Sequence, residues 1–438
     1  MVERDVARER AQAIWWAAVD AVRPEPLVQQ AIASEPLLRE ASRLLVVGAG
    51  KAGPAMASGL EKALEDRLDR IEGIINVPAG SFVPLKRIRL NAARPQGVNE
   101  PTLEGVAGAE EMLRLLATAR PDDMAVCLLS GGGSALLPAP SQGITLVDKL
   151  AVTRLLHRSG ATINEMNCVR KHLSRVKGGR LAESFKGKFL LSLIVSDVVG
   201  DPLDVIASGP TAADPTTFQE ALEVLSRYNL TRIVNESVVK HLEQGRRGEL
   251  TETPKLTPAN VLNRVIGSNR LALDAAKKKA CGYGYSVLDL GAFVEGETRH
   301  VATALAGVVR SIRRDGLPLP PPVCLLVGGE TTVTLDSNSG KGGRNQEFVL
   351  AMMANLGVDG LSGVTVLSGG TDGEDGPTDA AGAVGDATIL SQILEGGLSV
   401  NDYLKRHDAY HLFERTDGLM KTGLTGTNVM DVRVVLVQ

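Results

Sequence analysis

Short runs of uninterrupted apolar residues, each ending in glycine, serine or aspartate, recur along this chain. Residues 44–47 (LLVV) run into GAGKAG at 48–53, and residues 125–129 (AVCLL) run into SGGGS at 130–134. Residues 190–195 (LLSLIV) lead to Ser196-Asp197 and Gly200-Asp201-Pro202, residues 323–327 (VCLLV) to GGETT at 328–332, and residues 364–367 (VTVL) to SGGTD at 368–372. Apolar runs without alternation predict strands covered on both faces. Helical stretches between them, such as 104–119 and 268–281, complete an α/β pattern. The spacing of Trp15, Trp16 and Val19 predicts an amphipathic helix over 6–22, with another at 27–39 and a last strand at 432–437. Ligands of open α/β sheets sit beyond the carboxyl ends of the strands, where these turns fall.

A chain of 438 residues exceeds one ordinary core. The polar, proline-bearing stretch 244–258 (QGRRGELTETPKLTP) is the candidate linker, giving an N-terminal domain over 1–245 and a C-terminal domain over 246–438. A second break at 315–322 (DGLPLPPP) reads as a loop inside the second domain. The expected fold class is α/β with two domains: a Rossmann-like parallel sheet first, a second α/β domain after it.

Composition narrows the function. The 47 glycines, about a tenth of the chain, exceed the usual ~7% and suit turns that bring backbone close to a ligand. Aromatics at 3% argue against a base-stacking platform, and a net charge of −3 gives no positive field for polyanions, so nucleic acid is not an expected partner. Cys127, Cys168, Cys281 and Cys324 show no CxxC spacing, and Cys127 and Cys324 sit in apolar runs as small hydrophobes. The charged start MVERDVARER has no apolar signal core, and no apolar run approaches the ~20 residues of a membrane span. A cytoplasmic protein is expected.

GAGKAG matches the G-x-G-x-x-G pattern, in which glycines admit a pyrophosphate to a helix N-terminus. The next predicted strand, ending Asn76-Val77, lacks the acid that would hold a ribose hydroxyl, and Lys51 adds a cation that is unfavourable at a helix N-terminus unless an anion joins it. SGGGSALL suits an anion or carboxylate nest, with Ser130 and Ser134 as added donors. RKHLSRVKGGRLA at 170–182 reads either as a solvated basic face or as the edge of an anion site. Asp197 reads as a proton acceptor, a cation ligand or a helix cap. Lys341 and Arg344 could neutralise phosphate oxygens, Arg344 with a two-pronged fork. Asp372, Glu374, Asp375 and Asp379 cluster as magnesium ligands do, though the twelfth position from Asp372 is Ala383, which excludes an EF-hand. No Walker A, G-x-S-x-G or H-E-x-x-H motif occurs.

In order along the chain, VVGAGKAG (46–53), LLSGGGSALL (128–137), VRKHLSRVKGG (169–179), SDVVGDPLDVIASGPT (196–211), GGETTVTL (328–335), GGRNQEF (342–348), SGGTDGEDGPTDAAGA (368–383) and TGLTGTNVMD (422–431) resemble the class II glycerate kinases. The C-terminal part of that family, here about 322–438, is called the MOFRL domain. The resemblance implies an active site in the cleft between two α/β domains and transfer of phosphate from ATP, with Mg²⁺, to D-glycerate, usually at the 2-hydroxyl. It puts the catalytic roles on Lys51, Asp197 and Arg344 and the metal on Asp372. Substrate or phosphate contacts are expected from Gly50, Ser130, Gly131, Gly132, Gly133, Ser134, Arg170, Gly329 and Thr331. Many relatives carry His-Pro-x-Pro-Asp before the helix that leads to SGGGS. Here Arg94 stands for the histidine, in ARPQGVNE at 93–100. Relatives are also often labelled hydroxypyruvate reductases, so an NAD(P)H-dependent reductase is the alternative. Whether copies associate, and whether the product is 2- or 3-phosphoglycerate, stays open.

Overall fold

The apolar runs form the strands of two sheets in a computed structural model that describes residues 2–95, 98, 100–336 and 338–438. Of the segment that departs from the relatives, Gln96, Gly97 and Asn99 lie outside the described residues. The chain divides into two compact units, Pro24–Ile266 and a second made of Met1–Arg23 with Gly267–Gln438.

In the first unit, β1 (Leu44–Ala49), β2 (Ile71–Pro78), β3 (Ile88–Arg94), β4 (Met124–Leu129), β5 (Phe189–Val195) and β6 (Val261–Gly267) form one sheet in the order β3-β2-β1-β4-β5-β6. The ladders joining β1 to β2 and β4, β2 to β3, and β4 to β5 are all parallel. Every residue of β1 and β4 is buried, as expected of a sheet covered on both faces. Helix Leu103–Ala117 lays Ala109, Met112 and Leu116 on one face, in a core with Leu45, Val47, Ile74 and Leu129. Burial pushes the Cys127 thiol up to about 12, so it behaves as an inert hydrophobe. The order reverses between β1 and β4, and such a switch point opens a crevice at the carboxyl ends of the two strands.

The unit boundaries differ from the expected division at 245/246. The polar stretch 244–258 does not link domains. Phe218 N donates to Glu252, His172 Nε2 lies 2.8 Å from the same carboxylate, and Thr253 Oγ1 donates to buried Asp214. The chain then enters the first sheet as β6.

The second sheet is mixed. Its strands are β7 (Ser286–Asp289), β8 (Val294–Glu297), β9 (Val323–Thr332), β10 (Val364–Gly370), β11 (Gly382–Asp386), β12 (Leu419–Met420) and β13 (Asp431–Val437). β13 lies between β10 and β9 and is antiparallel to both, whereas β7 and β8 run parallel to β9. Both predicted glycine turns are strand continuations, because pairing with β13 at 328–329 and 368–370, and with β8 at 329–332, satisfies their backbone groups. Helices Thr298–Asp315 and Arg344–Gly360 pack one face. Helix Val2–Ala21 belongs here: Trp15 is fully buried and its Nε1 donates to Gly369 O at 3.2 Å.

Trp15→Ala removes that bond and opens a cavity, and should cost roughly 3–5 kcal/mol of unfolding free energy. Urea denaturation of wild type and variant checks it.

Candidate active site

The crevice at the β1/β4 switch is built by two glycine loops that hold each other. Lys51 N donates to Gly131 O at 2.9 Å, Ser130 N to Ala49 O at 3.2 Å, and Ala52 N to Ser130 Oγ at 3.0 Å. Helix Gly53–Ala63 starts two residues after Lys51, with Ala52 as its N-cap and Pro54 in its first turn. Gly132 stands at φ +77° in the turn closed by Gly133 N to Ser130 O, a left-handed position that favours glycine. A Cβ built on Gly132 would lie 3.2 Å from Arg94 Nη2 and 3.5 Å from Lys51 Cγ, so two cationic side chains flank the turn. One built on Gly131 would fall 2.3 Å from Asp197 Oδ2, so the carboxylate after β5 lies directly on the loop.

Three more cations gather at the other end of the turn. Arg170, on helix Ile163–His172, donates to Ser134 Oγ. Lys177 Nζ donates to Ser134 O at 2.8 Å, Ser134 Oγ at 3.0 Å and Ala207 O at 3.4 Å. Ser134 Oγ lies 2.8 Å from Ser208 Oγ, which donates to Asn167 Oδ1. Lys149, on helix Leu146–Arg158, is 5% exposed, and its Nζ has no hydrogen-bond partner among the described residues. Burial and then the charge of Arg170 pull Lys149 down to about 7. Burial pulls Arg170 down to about 10, and burial with Arg170 and Lys149 holds Lys177 well below the usual lysine range. Ala207 and Ser208, at φ 52° and 62°, are non-glycine residues in the left-handed region, a strain that surrounding structure must hold.

The second unit carries a separate charged network. The Arg344 fork lies on Asp431 at 2.8 and 3.0 Å, and its third nitrogen is 3.0 Å from Glu330. Buried Asp431 also accepts from Asn345 Nδ2 and Arg433 Nη2. Burial disfavours the Arg344 charge, but Asp431 and Glu330 outweigh it and hold the group above its ordinary range. Asp375 is buried beneath the helix that Arg344 opens and accepts from Asn345 N and Gln346 N. Burial raises it to about 6 against those bonds.

These positions sort the predicted residues. Lys51, Gly131, Gly132, Asp197, Ser134 and Arg170 meet around one turn, with Gly133 in its backbone and Gly50 in the loop that packs against Ser130. Ser130 braces the two loops through its hydroxyl. Gly329 and Thr331 lie in β9 instead of a turn, and the buried Thr331 hydroxyl bonds Thr298 and Arg433, which leaves it no face toward a ligand. The basic segment is not a solvated face, because Lys171, His172 and Lys177 are buried. Lys341 lies over the Tyr410 ring at 3.8 Å. The four predicted magnesium carboxylates disperse: Asp375 caps a helix, Asp379 bonds Tyr410 and Lys421, and Asp372 accepts from Glu374 N. Among the described residues no three His, Cys, Asp or Glu side chains gather as a metal site. A magnesium ion carried on a nucleotide needs only one or two protein carboxylates, so Asp372 fits as a single ligand. Sequence reasoning missed Lys149 and did not single out Lys177 within the basic segment 170–182; the only signal for Lys149 was its nearness to SGGGS and that segment.

Glycine loops and converging cations at the switch point of an α/β sheet make an arrangement suited to small anionic ligands. Family models match residues 10–243, a domain of unknown function called DUF4147, and residues 323–431, the MOFRL family. Glycerate 2-kinase of Pyrococcus horikoshii is 42% identical over 395 residues, covering 90% of this chain and 87% of that protein. An Agrobacterium vitis protein named "Putative hydroxypyruvate reductase" is 40% identical, covering 98% of this chain and 94% of its own. The crystal structure of glycerate kinase from Thermotoga maritima superposes with a TM-score of 0.88 at 34% identity, covering 99% of this chain and 100% of that one. The chain belongs to the glycerate kinase family with a C-terminal MOFRL domain.

Lys149 releases its proton near pH 7 when folded and near 10.5 when unfolded. The unfolded chain therefore binds more protons across that window, and stability rises with pH. Relative to Lys149→Met, the wild-type chain should gain up to ~1.4 kcal/mol per pH unit between about pH 7 and about pH 9. Urea unfolding of both proteins across that range measures the slope.

Proposed function

We propose that this chain transfers the γ-phosphoryl group of ATP to D-glycerate, with 2-phosphoglycerate as product. The observation that carries the reading is the switch-point turn, where Asp197 lies on Gly131 while Lys51 and Arg94 flank Gly132. Asp197 orients the substrate hydroxyl and accepts its proton as the oxygen attacks phosphorus. Lys51, at the entry to its helix, stabilises charge that develops on the phosphoryl oxygens. Phosphoryl transfer asks for positioning and charge neutralisation more than for covalent chemistry, which suits a site of cations and backbone turns.

Arg344 is proposed as a further cation on the transferring phosphoryl group, and Asp372 as the residue that would hold Mg²⁺. When bound, Mg²⁺ neutralises phosphate oxygens. The names of the Pyrococcus and Thermotoga relatives support a glycerate kinase. A cytoplasmic location is part of the reading, supported by four free cysteines, three of them buried. Among the described residues no helix is long and apolar enough to cross a membrane. The Agrobacterium relative's name favours a reductase as the second reading. Against it, Asn76 near the end of β2 spends its amide on the carbonyls of Gly105 and Leu136, and no acid follows it in the strand.

One assay separates the two. The chain with ATP, Mg²⁺ and D-glycerate should release ADP, and with NADH and hydroxypyruvate should leave the NADH unoxidised. Lys51→Ala should lower kcat by ~10³-fold or more. Near-normal turnover of that variant would remove Lys51 from its assigned role.

A further inference from the structure

We infer that Lys149, Arg170 and Lys177 form a built anion well that takes the carboxylate of the acid substrate. The inference rests on the kinase reading for the identity of that acid. Arg170 and Lys177 meet at Ser134 and feel the charge of Lys149 beside them, yet none of the three forms an ion pair with a carboxylate among the described residues. The neighbouring buried lysine contrasts with them: Lys171 Nζ lies 3.2 Å from both Asp204 and Asp214. A buried charge without a partner is costly, and folds retain one where a ligand completes it. Lys149 Nζ is the unpartnered group, buried and facing the other two cations.

The donor set selects the anion. Lys177 directs its protons to Ser134 O, Ser134 Oγ and Ala207 O, so it is spent on the protein. What remains is one ammonium and the rest of the Arg170 fork, because Ser208 gives its proton to Asn167 and Ser134 gives its own to Ser208. A point charge beside a planar fork matches a planar anion with two oxygens and a single charge. A phosphoryl group, with three oxygens and up to two charges, asks for more donors than this. The strained Ala207–Ser208 backbone holds a carbonyl and a hydroxyl at the well, which agrees with a binding role. The well and the Asp197 carboxylate sit at opposite ends of one short turn, from Gly131 to Ser134. An acid anchored by its carboxylate therefore presents its hydroxyl end along that turn. Glycerol, which lacks the carboxylate, loses this anchor.

The test uses the full chain with D-glycerate, glycerol and inorganic phosphate as separate probes in calorimetric titration. Lys149→Met should weaken D-glycerate binding on the order of 10- to 100-fold and raise its KM to match, with the KM for ATP unchanged. The ligand-free variant should melt no lower than wild type, because it loses an uncompensated buried charge, whereas a merely structural lysine would lower the melting temperature. Lys149→Arg should recover part of the affinity. Unchanged D-glycerate affinity in Lys149→Met, or a wild type that binds glycerol as well as D-glycerate, overturns the inference. So does a variant that loses phosphate binding and affinity for ATP while keeping D-glycerate, which assigns the well to a phosphoryl group. Lys149-dependent binding of D-glycerate without ADP release sinks the kinase reading and keeps the well. ADP release with Lys149-independent binding does the reverse.

Discussion

The first unit depends on the close approach of two glycine loops at the point where its sheet changes direction. Strands β1 and β4 are neighbours whose chains leave toward opposite sides. Their loops therefore emerge side by side, with the Ser130 hydroxyl set between them. Lys51 N to Gly131 O and Ala52 N to Ser130 Oγ bind one loop to the other. Everything chemical in this unit hangs on that junction. Lys51 and Arg94 take position from one side of it, Asp197 from above Gly131, and the Ser134 cluster from the helix turn that follows.

Much of this was legible in the sequence, because local rules sufficed. An apolar run that ends in small residues has few other readings, and β1, β4 and β5 appear where such runs stand. The meeting of Lys51, the SGGGS turn and Asp197 follows from the general rule that places sites at strand ends. Regions where a residue's environment comes from distant chain were harder to read. Gly328-Gly329 looks like a turn, yet β13 converts it to strand by supplying hydrogen-bond partners about a hundred residues away. Lys149, Lys171 and Lys177 look solvated in any sequence window, and only the packing of several helices buries them. Asp375 looks like a metal ligand until the start of the Arg344–Gly360 helix is found against it.

The two units handle charge in opposite ways. In the second, Arg344, Arg433, Asp431, Glu330 and Asp375 interlock, so each cation meets a carboxylate and the network is nearly self-sufficient. Such a network favours one arrangement of its strands. In the first, cations accumulate near Ser134 with no carboxylate paired to them among the described residues. Self-neutralised charge gives rigidity, whereas uncompensated charge gives affinity at the expense of stability, a trade often met where proteins bind small ligands.

The seat of β13 has a consequence for synthesis. This strand holds residues Asp431–Val437 and lies between β10 and β9 in the middle of its sheet, while the same unit also claims helix Val2–Ala21. As the chain leaves the ribosome, the Pro24–Ile266 unit can complete itself first. The opening helix packs against helix Asn269–Gly282 as well as β13 and β10, so part of its apolar face stays uncovered until β13 has been made. A chain that stops before Asp431 would lack the strand that joins the two halves of the second sheet. It would expose two strand edges at once, a clear flag for proteolytic clearance. The order of elements thus ties the maturity of the second unit to translation through its last strand.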